Sequence, residues 1–478
     1  MQSVESGRAP VESAASAARP WWSSVRDALV GVPQDFTEGS LRRAVFLLSV
    51  PMVLEMGMES LFGLVDAYFV GRLGPDAVAG VGVTEALLTV VFAVAMGLSL
   101  STTAMVARRV GEKDHEQAAV TAVQALLLGL VVSVPTGLAG AFWSRDLLEM
   151  MGAPKSVIQV GSGFTAWILG GNATILGLFL INAIFRGAGD ASLAMRSLWL
   201  ANAVNIVLDP CLIFGLGPFP RLGMTGAAVA TTIGRGIGVL YQLHILFRGR
   251  GRIAVRARHL RLDVGVMLRL LRVSVGGIVQ FLIATASWLG LVRILTPFGA
   301  VSLAGYTIAL RIIVVAILPS WGMCNAAATL VGQNLGAGKP ERAERAVWMA
   351  GLYNMVFLAV VAATFIAFAE GLIACFTTDP AVVVLGASCL RIVSYGYVFY
   401  AWGMVMVQAF NGAGDTTTPT WVNFCCYWLF QIPLAWTLAR TLGLGPTGVF
   451  LAITIAESLI AVVAIVCFRR GRWKTRTV

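Results

Sequence analysis

Long apolar runs separated by short polar stretches dominate the chain. A helix rising 1.5 Å per residue needs about 20 apolar residues to cross a hydrocarbon core about 30 Å thick. Twelve such runs stand at 41–70, 77–107, 118–142, 157–181, 193–214, 225–247, 264–295, 301–331, 343–368, 381–410, 417–438 and 447–468. Open strands in lipid would leave backbone groups unpaired, so these runs predict helices. Several exceed the minimum length, which predicts tilted or kinked spans. Pro135, Pro297, Pro319 and Pro433 fall within or near spans and read as kinks.

The pattern also repeats. Gly111 and Gly336 are 225 residues apart, as are Glu116 and Glu341. Gly187-Ala188-Gly189-Asp190 recurs as Gly412-Ala413-Gly414-Asp415 at the same offset. Ala79-Gly80 and Ala304-Gly305 keep it, and Thr225-Gly226 and Thr447-Gly448 follow at 222. One offset held across distant motifs indicates duplication. Each copy has an even number of spans, so both copies share an orientation and an axis along the membrane normal. The predicted fold class is an all-α polytopic membrane protein: twelve transmembrane helices in two six-helix bundles related by a pseudo-two-fold axis. The predicted divisions are a disordered cytoplasmic tail over 1–40, bundles over 41–247 and 264–468, a cytoplasmic linker over 248–263, and a basic cytoplasmic tail over 469–478.

Composition strengthens this picture. The chain is 58% hydrophobic and 12% charged, with mean hydropathy +0.81; soluble domains carry about 25% charged residues. The net charge of +11 invites a nucleic-acid reading, but the bases cluster between apolar runs. Assigning both tails and every second connection to one side places 26 of the 35 Lys and Arg there, Arg186 and Arg196 included. That bias predicts cytoplasmic termini and an inner or plasma membrane location. The Arg-rich stretch 248–272 reads as a positive-inside linker touching anionic lipid. No nucleic-acid partner is expected, and the chain is expected to act as a monomer. Residues 1–40 lack the apolar core of a signal peptide, and Trp21 and Trp22 are placed at the membrane interface. The seven Cys show no metal spacing and read as buried free thiols, with Cys425 and Cys426 adjacent. His115, His244 and His259 fall near loops and form no cluster. No enzymatic activity and no cofactor are expected. The Gly-Ala-Gly-Asp turns lack the Lys and strand context of a phosphate loop.

Ionisable groups within spans are costly and are functional candidates by default. The embedded acids are Glu55, Glu59, Asp66, Glu85, Asp209 and Glu457, five of them in the first half. Duplication alone does not produce such an asymmetry; it predicts different tasks for the two halves. Glu55, Glu59 and Asp66 share one helix face at steps of four and seven. Asn202, Asn205 and Asp209 share another. Pro210 cannot donate a backbone hydrogen bond, which frees the carbonyl of Ile206. An amide, a carboxylate and a free carbonyl suit a hard cation or a proton. Desolvation favours neutral carboxyls, so Asp66 and Asp209 are candidate proton acceptors. Glu85 and Glu457 read as structural lone acids. Arg311 is expected to pair with carbonyls or a polar neighbour.

Several stretches carry a family likeness. They are Leu64-Val65-Asp66-Ala67-Tyr68-Phe69-Val70-Gly71 after Pro51-Met52, Ala107-Arg108-Arg109-Val110-Gly111, Arg186-Gly187-Ala188-Gly189-Asp190, Asn205-Ile206-Val207-Leu208-Asp209-Pro210 and Gly226-Ala227-Ala228-Val229-Ala230-Thr231. In these the chain resembles the multidrug and toxic compound extrusion (MATE) transporters, with an acid balance most like the DinF-like branch. The resemblance implies a cation site for H⁺ or Na⁺ in the first bundle, with Asp66, Asn205, Asp209 and Thr231 as ligands. It places Asn182 on the cavity wall and a bend at Pro51. Phe164 and Glu59 replace a tyrosine and a glutamine seen in relatives. Glu55, Phe62 and Asn202 complete the candidate cavity and coupling set, with Pro51 and Pro210 as hinges. Gln280 and Gln408 stand in the second half, where the NorM-like branch uses acids. The expected function is export of organic, cationic and amphiphilic compounds in exchange for H⁺ or Na⁺. The alternative is a flippase for lipid-linked oligosaccharide, or a metabolite exporter, of the same plan.

Overall fold

The computed structural model describes residues 21–32 and 34–476. Most of the expected N-terminal tail lies outside these residues. Over Trp21–Val30 the structure departs from the expected disorder, because these residues form helix α1. Asp27 pairs with Arg43 at 2.9 Å, and the carbonyls of Leu29 and Val30 accept from Arg196. Trp22 is exposed; the side chain of Trp21 lies outside the described residues.

The first half comprises α2 (Leu41–Gly71), α3 (Pro75–Gly111), α4 (His115–Phe142), the short α5 (Ser144–Met150), α6 (Lys155–Gly170), α7 (Asn172–Ala188), α8 (Ala191–Phe214) and α9 (Met224–Arg248). The second comprises α10 (Val264–Leu295), α11 (Ala300–Gly336), α12 (Pro340–Ala374), α13 (Pro380–Tyr395) and α14 (Tyr397–Gly412). The helical segment Thr417–Thr441 and the helix Pro446–Arg469 complete it. Among the described residues, nine helices are long and apolar enough to cross a membrane, and two bent pairs raise this to eleven. The remaining run folds as α9, where Thr231, Arg235, Gln242 and His244 make the helix more polar.

The sharpest bends fall at glycines rather than prolines. The α6–α7 pair bends by 41° at Gly171, and α13–α14 by 59° at Gly396. Helices α2, α4, α8 and α11 continue through Pro51, Pro135, Pro210 and Pro319. Pro297 lies in a 3₁₀ turn. Pro433 sits between two π-helical stretches, Phe424–Gln431 and Thr437–Thr441. All seven cysteines are free; Cys375 and Cys425 are exposed, which corrects the expectation of uniform burial.

Two apolar cores stand apart, one around Leu98, Ile175, Leu176 and Ile213 of the first half with Val266 and Leu270 of α10 added, the other around Tyr306, Leu358, Leu390 and Phe450 of the second half. A third cluster joins them at the end that bears both termini: Leu48 and Met52 of α2 pack with Leu330, Val331 and Val347. Polar contacts reinforce this seam. Ser101 and Ser274 hydroxyls are 2.7 Å apart, and Gln333 donates to the carbonyl of Gly187 at 2.9 Å. The repeated glycines lie here. A Cβ on Gly111 would stand 2.0 Å from the Gln333 carbonyl oxygen, and one on Gly336 would stand 2.1 Å from that of Arg108. Only a residue without Cβ lets α3 and α11 approach so closely. We expect Gly111→Ala to part the halves at this end. A cysteine at Ser101 should then react several-fold faster with a water-soluble maleimide than in the Gly111 parent. Equal rates would show that the seam tolerates the methyl group.

The paired Gly-Ala-Gly-Asp turns have a structural task, as expected. Gly189 and Gly414 take φ of +85° and +81°, a left-handed conformation that glycine adopts without strain. Asp190 accepts from the backbone of Arg252 at 2.6 Å, which pins the linker. Asp415 pairs with Arg476 at 3.4 Å, which pins the C-terminal segment. Each half thus ties down the chain that follows its own last helix. His259 is buried and bonds Glu116 at 2.8 Å, holding the linker to the start of α4.

Candidate functional site

Two groups of polar side chains lie in the first half, and they are distinct. The first is on α8 and α9. Asn205 donates from Nδ2 to Thr231 Oγ1 at 3.0 Å and to Asp209 Oδ1 at 3.5 Å. Asn205, Asp209 and Thr231 are all buried. Asn205 Oδ1 and Asp209 Oδ2 are buried and accept no hydrogen bond. A buried acceptor without a donor costs about 1–3 kcal/mol. This oxygen-only set therefore fits a proton or a hard cation. Asp66, on α2, is half-buried. It makes no hydrogen bond among the described residues, but it lies within electrostatic reach of Asp209. The expected four residues are thus in one region, with three linked by hydrogen bonds through Asn205 and the fourth within electrostatic reach of Asp209.

The second group lines a cavity of about 190 Å³ between the halves. Its apolar wall includes Met56, Phe92, Met96, Phe179, Phe281 and Trp321, and its charged wall is Glu55, Glu59, Arg186 and Arg235. Asn182 also lines it, as expected, and its Oδ1 accepts from Gln242 at 2.5 Å. Glu55 is fully buried and pairs with Arg186 at 3.1 Å. Glu59 accepts from Asn202 at 3.2 Å and faces Arg235 at 3.9 Å. Phe62, Phe164 and Asn202 do not line the cavity. Asn202 stands behind Glu59, Phe62 packs 5.9 Å from the Arg235 guanidinium, and Phe164 belongs to the core with Ile168 and Leu169.

The arginines correct the sequence reading. Arg186 counted as a loop charge because the apolar run ends near 181; α7 continues to Ala188 and carries it inward. Arg235 lies inside the run 225–247, and the rule that marks the embedded acids as functional candidates applies equally to it. The cavity wall thus holds two carboxylates and two guanidiniums and is not acidic overall.

The repeat shows how the halves diverged. Gln280 and Asn411 stand 225 residues after Glu55 and Arg186. They also meet, through reciprocal amide hydrogen bonds of 3.1 and 3.3 Å. An ion pair in one half is a neutral amide pair in the other. Asn411 also donates to Gln408 at 2.8 Å, so the glutamines of the second half are committed to each other's network. Glu457 stands 222 residues after Arg235 and accepts from the Tyr427 hydroxyl at 3.1 Å. It lines a separate pocket of about 40 Å³ within the second half. Glu85 and Arg311 are exposed. Arg311 makes no hydrogen bond or ion pair among the described residues, contrary to expectation, and has Glu85 within electrostatic reach.

Two helical bundles, closed against each other at one end and enclosing a mixed apolar and charged cavity, define an integral membrane transporter rather than an enzyme. The chain belongs to the MatE family, whose model matches residues 51–211 and 278–437, one stretch in each half. It is 26% identical to a probable multidrug resistance protein NorM of Thermotoga maritima, over 92% of this chain and 94% of that one. It is 25% identical to the FAD transporter of Shewanella oneidensis, over 88% and 92%. A solved structure described as the outward-facing conformation of a multidrug resistance MATE family transporter superposes with TM-score 0.86. That match has 27% identity and covers 91% of this chain and 97% of that one.

Proposed function

We propose that the protein is a cation-coupled antiporter that exports small organic compounds. H⁺ or Na⁺ is bound by Asp66, Asn205, Asp209 and Thr231, the arrangement of the DinF-like branch. The observation that carries this reading is the pair of buried oxygens on Asn205 and Asp209 that accept no hydrogen bond. A proton or sodium ion would satisfy them. The ion site lies beside the cavity rather than in it, so coupling acts through α2, α8 and α9, with Pro51 and Pro210 as candidate hinges. An ion that binds two states unequally biases the equilibrium between them; one that binds them equally drives nothing.

Orientation follows from the bases. Removing Arg186 from the loop tally leaves 25 of 35 on the terminal side, so the positive-inside rule still makes that side cytoplasmic. The glycine seam then closes the cytoplasmic end, and this conformation faces outward. Export of drug-like organic compounds is in line with the relatives named as multidrug resistance proteins. Export of a metabolite is favoured instead by the relative named as an FAD transporter and by the two cavity arginines.

The deciding measurement is substrate-dependent ion flux in proteoliposomes, with H⁺ and Na⁺ gradients imposed separately. One gradient is expected to drive substrate and to be dissipated by it. If neither does so, the coupling is wrong.

A further inference from the structure

We infer that Arg235 reads an oxyanion on the transported compound, in competition with Glu59, so that the cavity selects aromatic carboxylates or phosphates. This rests on the reading of the cavity as the substrate site. The two cavity arginines are not equivalent. Arg186 is engaged: its Nη1 donates to the fully buried Glu55 at 3.1 Å. Arg235 makes no hydrogen bond among the described residues. Its ion-pair contact is Glu59 at 3.9 Å, the Phe62 ring lies 5.9 Å away, and Asp66 is within electrostatic reach. Its side chain is 13% exposed, and it lines the cavity. A guanidinium offers five donors in a planar fork that matches a carboxylate or phosphate two bonds at a time. Here all five are free of hydrogen bonds in a site that is mostly desolvated.

A second donor, Asn182, lines the same cavity. Gln242, on α9 with Arg235, engages the Asn182 carbonyl, and the Asn182 amide nitrogen has no hydrogen-bond partner among the described residues. Glu59 is held by Asn202 on its far oxygen, so it stays near Arg235 as an internal stand-in for the substrate's oxyanion. Phe92, Phe179 and Phe281 supply aromatic surface for the body of the ligand. The corresponding position of the second half carries Glu457, of opposite charge, turned into its own pocket. The cavity thus has one guanidinium that makes no hydrogen bond among the described residues, whereas each of its two carboxylates accepts one.

Three fluorescent probes with one aromatic body test this: pyrenebutyrate, pyrenebutanol and pyrenebutylamine. Binding is measured at equilibrium to the full chain in detergent, without any gradient. The wild type is expected to prefer the carboxylate to the amine about tenfold, a typical scale for one charge-assisted pair. Arg235→Gln should lower carboxylate affinity about tenfold and leave the alcohol unchanged. Glu59→Gln should raise carboxylate affinity, since it removes the competitor. A purely structural role would weaken all three probes in both variants, and that outcome overturns the proposal. So does a wild type that binds the amine as well as the carboxylate. Failure of all three probes to bind overturns the cavity reading as well. Equilibrium binding without a gradient does not draw on ion coupling, so a failure of ion coupling is distinguishable from a failure of this assignment.

Discussion

Replacing Asp209 with Asn is expected to abolish ion-driven export while leaving a folded protein. Asparagine keeps the shape of the side chain and an oxygen for Asn205 Nδ2, now 3.5 Å from Asp209 Oδ1. It removes the charge and the protonatable oxygen that has no donor. Because Asp209 is fully buried and forms no ion pair among the described residues, its neutral isostere strands no counter-charge. The melting temperature in detergent should therefore be kept or raised. Transport should fall at least about tenfold, equal to losing about 1.4 kcal/mol of state-dependent ion binding. The check is substrate movement in vesicles under one fixed gradient, read beside the melting curve. Wild-type export by Asp209→Asn vesicles would place the coupling site elsewhere.

The second large effect concerns the ion pair that the duplication did not preserve. Arg186→Ala should leave the Glu55 carboxylate fully buried without its partner, at a cost of about 3–5 kcal/mol. Glu55→Ala should cost similarly. The double variant Glu55→Gln, Arg186→Asn installs the residues that the second half uses at the equivalent positions, Gln280 and Asn411. Those make reciprocal amide bonds with no buried charge, and the Thr329 bond to the backbone of residue 186 is untouched. The double variant should thus recover most of the loss. Thermal unfolding of the three variants in one detergent decides this. A double variant no more stable than Arg186→Ala would mean that the surroundings of the pair, and not its charges, set its stability.

Both experiments depend on features that were unevenly legible in the residue order. Helical spans were plain, because a membrane admits few backbone solutions and imposes its thickness on every one of them. The duplication was equally plain, and with it the glycine pair 111 and 336, although its purpose in letting α3 and α11 touch was not. Asp66, Asn205, Asp209 and Thr231 stood out as polar residues in apolar runs or through family likeness. Arg235, a charged residue in an apolar run, carries the same signal. Phe62, Phe164 and Asn202 were assigned to a cavity they support only from behind, because helical spacing gives a face but not what stands against it.

The linear chain alone therefore settled the class of fold, its internal repeat and the scarcity of embedded charge, since each is imposed locally by the solvent around a single helix. Tertiary structure decided which charges meet. Glu55 finds Arg186 from 131 positions away, whereas Glu59 leaves Arg235 nearly free. Those pairings depend on how α2 leans on α7, α8 and α9, and hence on packing between helices that no single span encodes. They turn a set of acids that looked like a cationic-substrate cavity into a charge-balanced one with one guanidinium free of hydrogen bonds.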